Sequence, residues 1–307
     1  MSNILRLTSL ILLAATSAIG AAEPSKAPHP SSQPPAPRLA IGAAEPSKAS
    51  RPLCIVITGE SNAGGFGLNK SATAAELALR PCVQIMNLTS GKYEFEDLRI
   101  GVNNLRRHRM LESRETSCHG FELELANVVA EGALPGYRQV YLIKTGQGGS
   151  VLANWKEDQP DWKDNFLPRI EAGRKQLPAD VQWVVWLSLG INDARRKTPN
   201  CMTAPIWKTE MSCFIDRLQK ELPKAVIVMT GFQSMGYAEF NQAIAELAAE
   251  KKGVFAIDST GASKADGNHW NYAGLKLITG RLIGATLEGL KGTGGDGNGA
   301  TAGGAGK

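Results

Sequence analysis

The sequence predicts an α/β domain in which a mainly parallel sheet lies between layers of helices. Three observations carry that expectation. Short apolar runs alternate with longer amphipathic ones from about residue 52 to residue 291, as strands joined by covering helices do. The runs are rich in β-branched residues and apolar at successive positions, the mark of strands buried on both faces. Several runs are followed by Gly and small polar residues, at the strand ends where open α/β sheets carry their ligand crevice.

In chain order, strands are expected at Leu53–Thr58, Val83–Met86, Gln139–Lys144, Val181–Ser188, Ala225–Met229 and Val254–Ile257. Amphipathic helices are expected over Gly120–Glu131, Asp161–Gln176, Thr203–Glu221, Ala238–Lys251 and Tyr272–Leu290. With 307 residues, 43% of them hydrophobic and 21% charged, the composition suits one sizeable core. The formal charge of +5 is spread along the chain and calls for neither nucleic acid nor a membrane surface.

The two ends read differently. Arg6 precedes the apolar run Leu7–Ala15, and small residues continue to Ala22. This is the pattern of a signal peptide cleaved near Ala22, shorter than the roughly 20 apolar residues of a membrane span. The expected product is secreted or periplasmic, with no stable membrane insertion after cleavage. Residues 23–51 form a linker dense in Pro, Ser and Ala, and the ten residues Ala18–Ala27 recur identically as Ala40–Ala49. Residues 292–307 read as a Gly-rich flexible tail. The five cysteines are Cys54, Cys82, Cys118, Cys201 and Cys213. In an exported chain they make disulfides plausible, and a Cys201–Cys213 bridge is expected to close the loop after Asn192. No C-x-x-C pair suggests zinc.

The strand ends hold the chemistry. Ser61 lies three residues beyond Thr58, between Gly59 and the Gly64-Gly65 pair. It is a nucleophile candidate there, or a turn or helix-capping serine. Thr145-Gly146-Gln147-Gly148-Gly149-Ser150 follows the third strand, with Trp155 just beyond. Such glycines make a tight turn or expose backbone N–H groups of the kind that line an oxyanion hole. Gly190-Ile191-Asn192-Asp193 follows the fourth strand, either as turn chemistry or with Asn192 as an amide donor. Asp266-Gly267-Asn268-His269 precedes the last helix, a spacing at which a carboxylate reaches its neighbour's imidazole. The other three histidines differ: His29 is in the linker, His108 in a basic stretch, and His119 at a helix start.

Together these segments resemble the SGNH (GDSL-type) hydrolase superfamily. Its blocks are a Ser after the first strand, a Gly after a middle strand, G-x-N-D, and a terminal D-x-x-H. They map onto Ser61, Gly149, Gly190–Asp193 and Asp266–His269. Gly59-Glu60-Ser61-Asn62, Gly148-Gly149-Ser150 and Trp155 look most like the sialic acid-specific acetylesterase (SASA) type of carbohydrate esterase. Two positions depart from that branch: Glu60 stands where Gln is usual, and G-x-N-D stands where G-E-S-D is frequent.

The resemblance implies a flavodoxin-like three-layer sandwich over residues 52–291. It implies Ser61 as nucleophile, His269 as base and Asp266 as its orienting carboxylate, with no metal or organic cofactor. The N–H groups of Ser61 and Gly149 and the side chain of Asn192 would receive the oxyanion, and Asp193 would support the loop. Trp155 and Asn62 are the candidate substrate-binding residues; Trp155 would offer its ring to a sugar or else serve in the core. The expected function is a secreted ester hydrolase that removes acetyl or other short acyl groups from carbohydrate. The alternatives are an acyltransferase with a sugar acceptor and a non-catalytic carbohydrate-binding module.

Overall fold

The computed structural model describes residues 51–78, 80–100, 118–132, 134–137, 139–195, 201–232 and 235–293. The expected signal segment, the linker with its repeat up to residue 50 and nearly all of the tail lie outside the described residues. The strands are β1 (Leu53–Gly59), β2 (Gly67–Leu68), β3 (Arg80–Thr89), β4 (Lys92–Leu98), β5 (Cys118–His119), β6 (Val140–Lys144), β7 (Gln182–Ser188), β8 (Val226–Thr230) and β9 (Val254–Ile257). The α-helices are α1 (Ser61–Gly64), α2 (Phe121–Ala130), α3 (Leu167–Gln176), α4 (Ile191–Ala194), α5 (Ala204–Glu221), α6 (Ala238–Glu250) and α7 (Tyr272–Thr293).

Seven strands form one sheet in the order β4-β3-β6-β1-β7-β8-β9. All neighbours are parallel except the β3–β4 hairpin. The chain builds β3 and β6 on one side of β1, then crosses to lay down β7, β8 and β9 on the other. The order reverses at β1, so a crevice opens beyond its carboxyl end, walled by the loops after β6 and β7.

Why the strands read as unbroken apolar runs is visible in β1. Leu53, Ile55 and Ile57 face one layer, with Leu125 of α2 and Ile278 and Leu282 of α7. Cys54 and Val56 face the other, with Ile170 of α3, Phe214 of α5 and Ile244 of α6. Side chains alternate faces along a strand, and here both faces are dry, so the only polar side chain is Thr58 near its end, which accepts from the Thr145 hydroxyl.

Besides the two-residue strands β2 and β5, which pair with each other, three features differ from expectation. The hairpin partner β4 is not among the expected strands. It runs along the sheet edge, and its charged residues alternate with Tyr93 and Phe95, which hides it from a search for apolar runs. Its turn, Ser90-Gly91, has both φ angles positive (52° and 80°), the geometry of a two-residue type I′ hairpin. Second, the helix expected over Asp161–Gln176 is two segments, a π-helical stretch at Asp161–Phe166 followed by α3. Pro168, which has no N–H to give the ladder, sits at the join.

Third, Cys201 and Cys213 are free thiols rather than a disulfide. Cys213 is nine residues into α5, about 13 Å along the helix axis at 1.5 Å per residue. Cys201 precedes the helix, and a disulfide needs Cα atoms within about 7 Å.

A buried ion pair locks the layer under the crevice. Lys144 Nζ and Glu122 Oε2 are 2.9 Å apart with neither side chain exposed. Lys144 also donates to the Gly64 carbonyl at 3.0 Å, and Glu122 Oε1 accepts from the Gly120 N–H at 2.7 Å. Burial alone would raise the Glu122 carboxyl, but the Lys144 charge and these hydrogen bonds bring it below its ordinary value. The pair fastens α2 to the turn that carries Ser61.

Candidate active site

Gly59 makes the turn out of β1. Its φ is 126°, and a Cβ there would lie 2.0 Å from the Ser188 carbonyl oxygen. Only glycine fits. That same carbonyl accepts the Glu60 N–H at 2.8 Å, and α1 begins with Ser61. The first N–H groups of a helix have no acceptor inside it, so the Ser61 amide is available to a ligand beside its own hydroxyl.

The far wall is the turn before α7. His269 Nε2 lies 2.8 Å from Ser61 Oγ, and His269 Nδ1 lies 2.7 Å from Asp266 Oδ2. The other carboxylate oxygen, Asp266 Oδ1, accepts the N–H groups of Asn268 and His269 at 2.8 and 3.0 Å. Burial works against the Asp266 charge, but these amides and the imidazole outweigh it and hold the carboxyl below its ordinary value. Asn271 caps α7, its Oδ1 taking the Gly274 N–H at 3.0 Å. The Phe66 ring lies flat on the imidazole, 3.6 Å between centroids and 5° between planes.

The third wall joins the loops after β6 and β7. Backbone bonds from Thr145 N to Ile57 O and from Gln147 N to Gly59 O, both 2.9 Å, keep the β6 loop laced to β1. Gly149, at φ 75°, is exposed beyond them. Gly190 has φ 118°, and a Cβ on it would meet the Trp207 indole nitrogen at 2.2 Å, so the indole packs where any larger residue would stand. Asn192 then donates from Nδ2 to Glu60 Oε2 at 2.7 Å and to the Ser150 carbonyl at 2.9 Å. Both Asp193 carboxylate oxygens accept the Leu152 N–H, at 3.1 and 3.2 Å, which ties one loop to the other.

Of the expected site residues, Ser61, His269 and Asp266 meet, and Asn192 reaches the side chain next to Ser61; two others need correction. Trp155 is 0% exposed and packs against Phe214 in the core, so its ring has no face to offer a sugar. Asn62 is a structural tie. Its amide donates to the Asn268 carbonyl at 3.0 Å and its Oδ1 accepts the Trp270 N–H at 3.3 Å, which locks the Ser61 turn to the His269 turn. Sequence reasoning passed over Phe66 and the contact of Glu60 with Asn192. Glu60 stood out only as a departure from the Gln usual in the branch, with no partner indicated, and nothing in the sequence marks Phe66. Among the described residues no group of three or more His, Cys, Asp or Glu side chains is placed to hold a metal ion. No helix among them is long and apolar enough to cross a membrane.

Asp193 makes stability depend on pH. Burial, opposed by the Leu152 N–H, pushes its carboxyl up to about 7. An acid that holds its proton more tightly when folded stabilises the fold fully below its unfolded value near 4 and loses that contribution as pH rises to about 7. Each pH unit is worth about 1.4 kcal/mol, so the effect is on the order of 4 kcal/mol. Asp193→Asn retains an acceptor for Leu152 and cannot ionise. Its melting temperature is expected to fall less than that of the native protein between pH 4 and pH 7. Equal slopes in thermal melts would contradict this.

No curated protein matches the chain in sequence. Among solved structures it is similar to a protein of Arabidopsis thaliana, with a TM-score of 0.61 and 16% identity over 77% of this chain and 98% of that one. It is also similar to NanS, with a TM-score of 0.58 and 12% identity over 80% and 99% of the two chains. Both likenesses lie at the level of the fold. Residues 52–288 match the family described as "Carbohydrate esterase, sialic acid-specific acetylesterase". The chain therefore belongs to the SASA family of carbohydrate esterases.

Proposed function

We propose that the protein is a serine esterase that removes acetyl or other short acyl groups from carbohydrate. The observation that carries the reading is the unbroken series of short contacts from Ser61 Oγ through His269 to Asp266. Ser61 Oγ attacks the ester carbonyl carbon while its proton passes to His269 Nε2. Asp266 keeps the imidazole in the tautomer that can accept that proton and steadies the imidazolium. The N–H groups of Ser61 and Gly149 and the Asn192 amide receive the oxyanion. Collapse of the tetrahedral species breaks the bond to the sugar oxygen, which takes the proton from Nε2. Water then adds to the acyl carbonyl and gives its proton to His269 Nε2; the bond to Ser61 Oγ breaks, Oγ takes that proton back, and the acyl group leaves as a carboxylic acid.

The test is a product assay on acetylated polysaccharides beside p-nitrophenyl esters of increasing chain length. Free acetate and rates that fall with chain length are expected. An acylated sugar acceptor would make the protein a transferase, and rates rising toward long chains would make it a lipase.

The organisation that goes with this reading is a signal segment at 1–22, a linker at 23–51, a catalytic domain at 52–291 and a tail at 292–307. The apolar run before Ala22 supports export. An exported protein whose intact mass still includes residues 1–22 would remove the cleavage.

A further inference from the structure

Glu60 is a buried acid that the steps above leave unused. It lies between Gly59 and Ser61, and its side chain is 1% exposed. Its Oε2 accepts from Asn192 twice, from Nδ2 at 2.7 Å and from the backbone N–H at 3.4 Å. The same Nδ2 donates to the Ser150 carbonyl at 2.9 Å. Each of the two amide hydrogens therefore has a protein acceptor, and one must turn from its acceptor for Asn192 to serve an oxyanion.

We propose that Glu60 is a positioning residue for Asn192 and that its carboxyl is uncharged in the active enzyme. The proposal rests on the esterase reading, because Asn192 matters here as an oxyanion donor. An ionised carboxylate would hold the amide hydrogen in a charge-assisted bond. It would also stand beside the oxygen that gains negative charge in the transition state, where a second negative charge opposes the reaction. A neutral carboxyl still orients the amide, through a weaker bond that the amide can leave.

The surroundings favour the neutral form. Asp193 on α4, itself buried, disfavours a second charge, and Arg195 after α4 opposes it. Across the loop, Asp161 accepts from the Ser150 hydroxyl, behind the carbonyl that shares Asn192. On the nucleophile side stand Ser61 and His269 with Asp266. Burial first, then the Asp193 charge, pushes the Glu60 carboxyl well above its ordinary value, despite the amides of Asn192 and Ile191 and the Arg195 charge.

The test is kcat against pH for the native protein, Glu60→Gln, Asn192→Ala and the double variant, with p-nitrophenyl acetate as substrate. Gln is an uncharged near-isostere that still accepts from Asn192. The native profile should decline at alkaline pH by on the order of 10-fold or more as Glu60 ionises beside the oxyanion. Glu60→Gln should lack that decline, with the change in kcat rather than KM. In the Asn192→Ala background the decline should shrink to what direct repulsion of the oxyanion leaves, and Glu60→Gln should alter the profile less than it does in the native background. This second comparison stands even if Glu60→Gln fails to fold, because native and Asn192→Ala profiles alone reveal it. A decline of the same size in Glu60→Gln, or in Asn192→Ala, overturns the proposal. Ser61→Ala separates the two ideas: if it is inactive while the profiles coincide, only the role of Glu60 fails, and if it is active the esterase mechanism fails first.

Discussion

Ser61→Ala is expected to lower esterase kcat by ~10⁴–10⁶-fold and to abolish covalent labelling by a fluorophosphonate probe. The loss is large because, in the proposed mechanism, Oγ is the atom that forms the acyl bond. Oxyanion donors and substrate contacts remain, so a residual rate above that in water should persist. The fold should not respond. Ser61 Oγ bonds His269 Nε2 alone among the side-chain contacts described for it, and alanine is the better helix former at the head of α1. Unchanged melting together with lost turnover is the expected pair of results. A folded Ser61→Ala variant with undiminished activity would take Ser61 out of the mechanism and restore the carbohydrate-binding reading.

The fold was legible wherever a strand is dry on both faces. β1, β6, β7 and β8 fall within a residue or two of their expected positions, because burial on both sides leaves a run of apolar residues that nothing else explains; β9, the other edge strand, is apolar throughout although Ala256 is exposed. β4 lacked that signal, as an edge strand with charges at alternate positions does. The candidate site was legible where spacing is short and local. Asp266 and His269 lie three residues apart in one turn and meet at 2.7 Å.

What the sequence concealed is contact between distant parts. Trp155 follows a glycine loop, as a sugar-stacking residue would, yet the residues that bury it come from α5, some 60 positions on. Asn62 sits beside the nucleophile but spends its amide on a turn 206 residues away. The meeting of Glu60 with Asn192 spans 132 residues. Local pattern locates a side chain on a loop, and tertiary packing decides whether it faces the crevice or the core.

His269→Ala should be almost as severe as Ser61→Ala, with kcat lowered by ~10⁴–10⁶-fold, because serine is a weak nucleophile without its base. The double variant Ser61→Ala/His269→Ala should be no worse than either single one, since the two act as a unit. Asp266→Asn should cost less, on the order of 10²–10⁴-fold. The Asp266 side chain is 52% exposed against 17% for His269, so water can partly take over at Nδ1. His269→Ala also leaves a distinctive vacancy. The native imidazole lies flat against Phe66 at 3.6 Å, and its loss opens a ring-shaped gap between that face and Ser61 Oγ. Added imidazole should enter the gap and restore part of the activity, saturably with its concentration. Neither Ser61→Ala nor the double variant should respond. Turnover by His269→Ala at the native rate, without imidazole, would show that another group takes the Ser61 proton.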